Sequence, residues 1–135
     1  MLRRTAKDPS PGIRRVAGDV LDPASLEAAI DGADAVMATF HAPYDARLWR
    51  EQLPPRELAV LDAAAERGIP AVFPESFYGF QGGAASLAED APPSPQDDKG
   101  RVRGELLAAR RAHRARTLSV IASDQIGRAS CRERV

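Results

Sequence analysis

The chain has 135 residues, 44% of them apolar and 28% charged, which suits one small globular domain and excludes a disordered polymer. Nineteen basic and nineteen acidic residues cancel, so net charge gives no reason to expect a nucleic-acid or membrane partner. No apolar run approaches the roughly 20 residues of a membrane span, and no apolar stretch follows the basic residues after Met1, so a cytoplasmic location is expected. Cys131 is the single cysteine, which excludes an internal disulfide framework and a four-thiolate metal site.

Residues 1–12 form a basic stub followed by a turn-rich stretch, with Pro9, Pro11 and Gly12. Ile13, Val16 and Val20 mark a short strand ending at Gly18-Asp19. Asp22-Pro23 predicts a helix start, with Asp22 at the N-cap and Pro23 at the first helical position. Leu26, Ala29 and Ile30 continue it at helical spacing, and Gly32 closes it. Ala35 to Phe40 is a continuous apolar run of strand length, the pattern of a parallel sheet covered on both faces. Leu48 and Trp49 begin a short helical stretch that Pro54-Pro55 is expected to interrupt. Arg56 to Arg67 then reads as a helix with Leu58, Leu61 and Ala65 on one face and Gly68 as its stop.

Ala71-Val72-Phe73 reads as another buried strand. Residues 74–98, rich in Pro, Gly, Ser and Asp, read as a long loop, a length that is usually functional or disordered. Lys99 to Arg116 reads as a basic helix whose buried face is Val102, Leu106 and Ala109, and Leu118 to Ala122 as a last strand. Arg101 to Arg116 holds several arginines without aromatic residues to stack on bases. It is expected to be a solvated helix face rather than a nucleic-acid patch. The order of elements argues for an α/β fold with a parallel sheet.

Residues 126–135 (IGRASCRERV) are what a sequencing-library adapter reads as in one translation frame, matching at all ten positions. The expected organisation is therefore one domain over residues 1–125 and an adapter-derived tail over 126–135, against a natural basic tail, with the natural protein expected to continue beyond Gln125.

Several segments, in order, resemble the extended or atypical branch of the short-chain dehydrogenase/reductase superfamily, the NAD-dependent epimerase/dehydratase-like proteins. Val16-Ala-Gly-Asp-Val-Leu-Asp22 resembles that family's third strand and its Gly-Asp-x-x-Asp end, and Gly32-Ala-Asp-Ala-Val36 the lead into its fourth strand. Val72-Phe-Pro-Glu-Ser-Phe-Tyr-Gly79 resembles the fifth strand and its Ser-x-x-Tyr-Gly turn. Leu87 to Pro92 resembles the loop before the catalytic helix, and Val120-Ile-Ala-Ser-Asp124 the sixth strand. The resemblance covers roughly residues 2–124. It implies a partial Rossmann-like, doubly wound parallel sheet lacking the first strand and most or all of the second, with NAD or NADP as cofactor.

There are two departures from the family pattern. No Gly-x-x-Gly-x-x-Gly turn is present to meet a diphosphate, and the glycine pair Gly82-Gly83 follows a different strand. The family's Tyr-x-x-x-Lys pair is also missing. One register places Asp97 and Arg101 at its positions, and the other places Pro95 and Lys99.

The resemblance implies adenine contacts at Asp19 and Val20, against a plain strand-ending turn. Arg3 and Arg4 are matched to a 2′-phosphate site, against a solvated terminus. Phe40 and His41 fall where the backbone passes the nicotinamide ribose, and His41 also reads as an ordinary loop histidine. Ser76 resembles the active-site serine that hydrogen-bonds a substrate carbonyl, against turn chemistry in a polar loop. His41 and His113 sit in unlike contexts, so no metal site is expected.

In the doubly wound strand order, loss of strands one and two leaves a gap of roughly 14 Å at about 4.8 Å per spacing. The strand at Ile13 is then expected to pair with the strand at Val36 or to detach, leaving Val36, Val72 and the last strand as the best-ordered core. Two functional readings follow. One is a piece of an NAD(P)-dependent epimerase, dehydratase or reductase of a small carbonyl or nucleotide-sugar substrate, inactive as this chain. The other is a non-catalytic NAD(P)-binding sensor or pseudoenzyme. Neither involves nucleic acid or membrane, and the oligomeric state is left open.

Overall fold

The computed structural model describes residues 2–3, 11–80 and 92–121. In chain order these form β1 (Leu2–Arg3), β2 (Val16–Ala17), α1 (Pro23–Ile30), β3 (Val36–Met37), α2 (Ala46–Arg67), β4 (Ala71–Glu75), a 3-10 turn (Phe77–Phe80), α3 (Asp98–Ala112) and β5 (Thr117–Ile121). Every strand pairing is parallel, as alternating strands and helices require.

The strands fall into two sheets. β1 pairs with β2, and β3-β4-β5 form a separate sheet with β4 in the centre. The strand after Ile13 therefore does not pair with the strand at Val36, and it does not come away from the core either, because Val20, Leu26 and Ile30 after it pack in one cluster with Ala71 and Phe73 of the main sheet. It does not stand alone, because Leu2 and Arg3 pair with Val16 and Ala17. The predicted strands at Ile13–Val20 and Ala35–Phe40 shrink to Val16–Ala17 and Val36–Met37. Each has a ladder on one side only, and β4 with β5 is the longest pairing.

Met37, Val72 and Leu118 stand in register across the three strands, followed by Pro74 and Val120. Side chains alternate between faces, so these five share one face. Met37 is 63% exposed and Leu118 56%, with Val120 also exposed. Ala71, Phe73 and Glu75 point the other way and are buried, facing α2 and α3. A parallel sheet covered on both faces is thus not what the described residues form.

Local signals set the helix ends. Asp22, Asp45 and Asp97 are the N-caps of α1, α2 and α3, and their carboxylates accept from the N–H of Ser25, Leu48 and Gly100. Gly68, at φ 67°, ends α2 in the left-handed region. α2 runs unbroken through Pro54 and Pro55, which corrects the predicted interruption. Trp49, Leu53, Val60, Leu61 and Ala64 are all buried on one stripe, and that packing outweighs the two lost helical hydrogen bonds. Leu58, expected on the inner face, is exposed.

Two apolar clusters make the core. One joins Leu26 and Ile30 of α1 to Val60, Leu61 and Ala64 of α2 and to Ala71 and Phe73 of β4. The other joins Trp49 and Leu53 of α2 to Val102 and Leu106 of α3. Phe40 packs against both.

Candidate functional site

A cleft of about 700 Å³ opens between the end of β2 and the strand end after β3. Gly18, Asp19 and Val20 line one side, Val36 to His41 the other, and Leu26, Ala29 and Ile30 of α1 contribute apolar wall. Four residues predicted from sequence as cofactor contacts, Asp19, Val20, Phe40 and His41, therefore meet on one cleft. Its size falls in the range of small-molecule sites.

The Asp19 carboxylate accepts from the Leu21 N–H at 3.0 Å, and its carbonyl accepts from the Asp22 N–H at 3.1 Å. The turn chemistry and a place in the cleft lining thus belong to the same residue. Arg3 lies in β1, the strand that pairs with β2, and Arg4 lies outside the described residues. Gly18 is the one glycine of the lining, and among the described residues no glycine-rich turn opens onto the cleft.

A second cavity, of about 190 Å³, lies behind the same strand end. Ala38, Thr39, Phe40 and His41 line both spaces, and Glu57, Phe73, Pro74, Arg103 and Arg110 complete the smaller one. Its charged residues form a buried network. Arg110 of α3 is 2% exposed and donates from Nε and Nη2 to the two oxygens of Glu57, both at 2.6 Å. Its Nη1 donates to Glu75 at 2.8 Å and to the Ser119 hydroxyl at 3.2 Å. Burial works against this cation, but the hydrogen bond and charge of Glu57, then those of Glu75, hold its pKa above the ordinary arginine value.

Arg103, two helical turns earlier on the same stripe, donates from Nη2 to His41 Nε2 at 3.1 Å. A guanidinium cannot accept, so Nε2 carries the lone pair. The proton then sits on Nδ1, which donates to the Ala42 carbonyl at 2.5 Å. Trp49 meets the His41 ring edge-on at 5.0 Å and lies 5.0 Å from the Arg103 guanidinium carbon.

The Ser76 N–H and hydroxyl both donate to Glu75 Oε1, at 2.8 and 3.4 Å, so Ser76 joins the network through Glu75. It is not among the residues lining the cleft or the smaller cavity.

Sequence reasoning missed Glu57, Glu75, Arg103 and Arg110. The expected solvated face holds for Arg101, Arg111, Arg114 and Arg116, which are exposed, and is corrected for Arg103 and Arg110, which are buried, while Ala109, expected inward, faces outward. The seven-residue spacing of Arg103 and Arg110 on the stripe of Leu106 and Leu107 was the available signal. Glu57, flanked by Leu53 and Leu61 at four residues either side, was its counterpart.

Neither sequence register put a tyrosine on α3. The helix begins with Asp98 and Lys99, and the Lys99 ammonium lies 4.1 Å from the Tyr44 ring centroid. The Tyr44 and Tyr78 hydroxyls share a hydrogen bond of 2.6 Å. Among the described residues no group of His, Cys, Asp or Glu is arranged to hold a metal ion, and no helix is long and apolar enough to cross a membrane.

Comparison with known proteins places this geometry. Solved structures similar to the chain include the Bordetella bronchiseptica enzyme WbmG in complex with NAD and UDP, at 21% identity and a TM-score of 0.64, covering 82% of this chain and 38% of that one. Another is DesIV, a dTDP-glucose 4,6-dehydratase from Streptomyces venezuelae with NAD bound, at 20% identity and a TM-score of 0.64, covering 83% and 38%. A third is a short-chain dehydrogenase/reductase superfamily protein from Agrobacterium tumefaciens with bound NAD, at 26% identity and a TM-score of 0.57, covering 82% and 37%. The chain thus spans less than two-fifths of the length of each of these three, and its α/β fold is Rossmann-like. No curated protein matches it. The model of the family described as NAD(P)H-binding matches residues 1–122, and the chain belongs to that NAD(P)H-binding family.

Proposed function

We propose that the whole protein is an NAD(P)-dependent enzyme of the epimerase, dehydratase or reductase type acting on a small carbonyl or nucleotide-sugar substrate. In this reading the cleft between Gly18–Val20 and Val36–His41 holds the dinucleotide. The observation that carries it is the convergence of Asp19, Val20, Phe40 and His41 on a single cleft, with membership of the NAD(P)H-binding family beside it. Asp19 and the Val20 amide meet the adenine, and Phe40 and His41 flank the nicotinamide ribose. Arg3 and Arg4 are assigned to the 2′-phosphate if NADP is the cofactor. Ser76 is assigned to the substrate oxygen. When bound, the dinucleotide supplies a hydride acceptor or donor.

Among the described residues Gly18 is the one glycine lining the cleft, and the sequence holds no Gly-x-x-Gly-x-x-Gly turn, so in this reading base and ribose contacts are offered without a turn to cradle the diphosphate. Its own affinity for NADH or NADPH is expected to be weaker than micromolar, and the chain alone is expected to be inactive. The test is a titration of each nucleotide into the 135-residue chain, followed by backbone amide shifts. Weak shifts at Gly18–Val20 and Ala38–His41 support the reading. Micromolar binding overturns the claim about the diphosphate, and shifts confined to other residues overturn the cleft assignment.

A second reading, a non-catalytic NAD(P)-binding sensor, is favoured by one observation. The first turn of α3 carries Lys99 packed on Tyr44 where the family pattern has its Tyr-x-x-x-Lys pair. Binding of NADPH by the whole protein without turnover across a panel of carbonyl compounds selects the sensor, and hydride transfer selects the enzyme.

A further inference from the structure

We propose that Arg56, a side chain of α2, is the phosphate-recognising residue of the 700 Å³ cleft, and that the group it takes is a diphosphate. The inference rests on the nucleotide reading above and deepens it by naming an anion contact that does not come from a glycine turn.

Arg56 and Val60 stand one helical turn apart on α2, and both line the cleft. Asp19 and Arg56 are the charged residues of that lining, because the hydrogen bonds of His41 describe its neutral tautomer. The Arg56 guanidinium is held at two points. Its Nη1 donates to the His41 carbonyl at 3.3 Å, and its Nη2 donates to the Gln52 side-chain oxygen at 3.0 Å. Both acceptors are neutral. Glu57, next in the chain, gives its two oxygens to Arg110. Among the described residues Arg56 forms no ion pair, whereas Arg50, Arg67, Arg103 and Arg110 each pair with a carboxylate. The cleft thus has, on its His41 side, a half-buried cation whose charge the described residues leave unmatched.

Such a cation selects an anion. Leu26, Ile30 and Val36 line the same cleft, and beside apolar wall a charge is screened less than in open water. Of the five N–H groups of a guanidinium, the two contacts above use two. The rest form part of a planar fork that matches phosphate oxygens. Holding that fork in place beforehand lowers the ordering cost of binding.

Asp19 decides the polarity of the ligand. Its carboxylate, on the opposite side of the cleft, repels an anion and favours a group bearing N–H donors. Negative charge is therefore confined to the Arg56 side. A nucleoside diphosphate has this layout, with an amino-bearing base at one end and its charge at the other. A small carboxylate would match the cation but fill little of the cleft.

The test uses the 135-residue chain at constant ionic strength, with pyrophosphate as the probe and the Arg56 Nε–Hε resonance as the readout. Pyrophosphate is expected to shift it saturably, with a dissociation constant of about 1 mM, as suits a single guanidinium. No saturable shift overturns the proposal, and this measurement needs no folded variant. Arg56→Gln, followed at the amides of Ala38–His41, should weaken binding roughly tenfold or more, the size of a hydrogen bond to a charged group. Arg47→Gln makes the same charge change at an exposed position of α2 outside the cleft lining, and should leave affinity unchanged. Unaltered binding in Arg56→Gln, or an equal loss in both variants, overturns the assignment to Arg56. Acetate binding as tightly as pyrophosphate overturns the phosphate class. Repeating the titration with NADH and with UDP identifies the source of the diphosphate, which is the nucleotide whose affinity Arg56→Gln lowers. Pyrophosphate carries neither base nor nicotinamide. Its binding at Arg56, with no response to NADH or NADPH at Gly18–Val20, keeps this inference and fails the dinucleotide reading. Dinucleotide shifts at Gly18–Val20 with none from pyrophosphate at Arg56 fail this inference alone.

Discussion

Arg110 is the most committed side chain in the molecule. It is a cation buried among groups from α2, β4 and β5, and the bidentate pair with Glu57 is its strongest contact. Removing one partner of such a cluster strands the others, so Arg110→Met should destabilise the chain by about 3–5 kcal/mol. Urea unfolding checks this as a lower midpoint at unchanged slope. The exposed pair Arg101–Asp98 should give almost nothing when broken. A different behaviour is expected of the capping aspartates. The Leu48 backbone hydrogen bond holds the Asp45 pKa below its usual 3.8, and the Ser25 side-chain and backbone bonds do the same for Asp22. A pKa lowered in the folded state contributes stability that is present above 3.8 and is lost as pH falls through the folded value. Asp45→Asn should therefore flatten the acid limb of the stability profile below about pH 4, seen in thermal midpoints measured from pH 2 to pH 6.

At the scale of elements, sequence and structure agree where local chemistry governs. Asp22-Pro23 starts α1, and Gly68 stops α2. These signals act over a single turn and need no knowledge of the rest of the fold. Sequence reading failed where distant partners decide. Pro54-Pro55 looked like a break because a proline removes a donor and crowds the previous turn, but the stripe from Trp49 to Ala64 holds the helix together. Arg103 and Arg110 read as solvated because charge usually is, and only the folded chain shows that Arg110 meets Glu57 and Glu75 and that Arg103 meets His41. The cleft was legible in part. The family resemblance points to Asp19, Val20, Phe40 and His41, while the adjoining cavity depends on α3 and was not foreseen. Two substitutions test this level. Pro54→Ala, on an exposed face of α2, should stabilise the chain by up to about 3 kcal/mol, the usual penalty for proline within a helix. Gly68→Ala has open space around its new methyl group, so its cost is conformational alone, about 1 kcal/mol for the left-handed backbone. Both are read from chemical denaturation.

Across the whole molecule, the main sheet is buried on one side, and it presents Met37, Leu118 and Val120 on the other. An apolar strip of that kind binds hydrophobic dyes. Leu118→Thr, which keeps a branched residue in the strand, should lower the fluorescence of bound anilinonaphthalene sulfonate without altering far-ultraviolet circular dichroism. Unchanged dye binding would mean that the strip is not the accessible surface. The Arg110 clamp has one more consequence. A single guanidinium on α3 fastens the middle of α2, the last residue of β4 and the centre of β5, so α3 cannot lift away without exposing two glutamates that have lost their cation. Fluctuations that open one of these segments should open all of them. In native-state deuterium exchange their slowest amides would then share one opening free energy, a cooperative unit whose boundary runs along an ion cluster instead of along the chain.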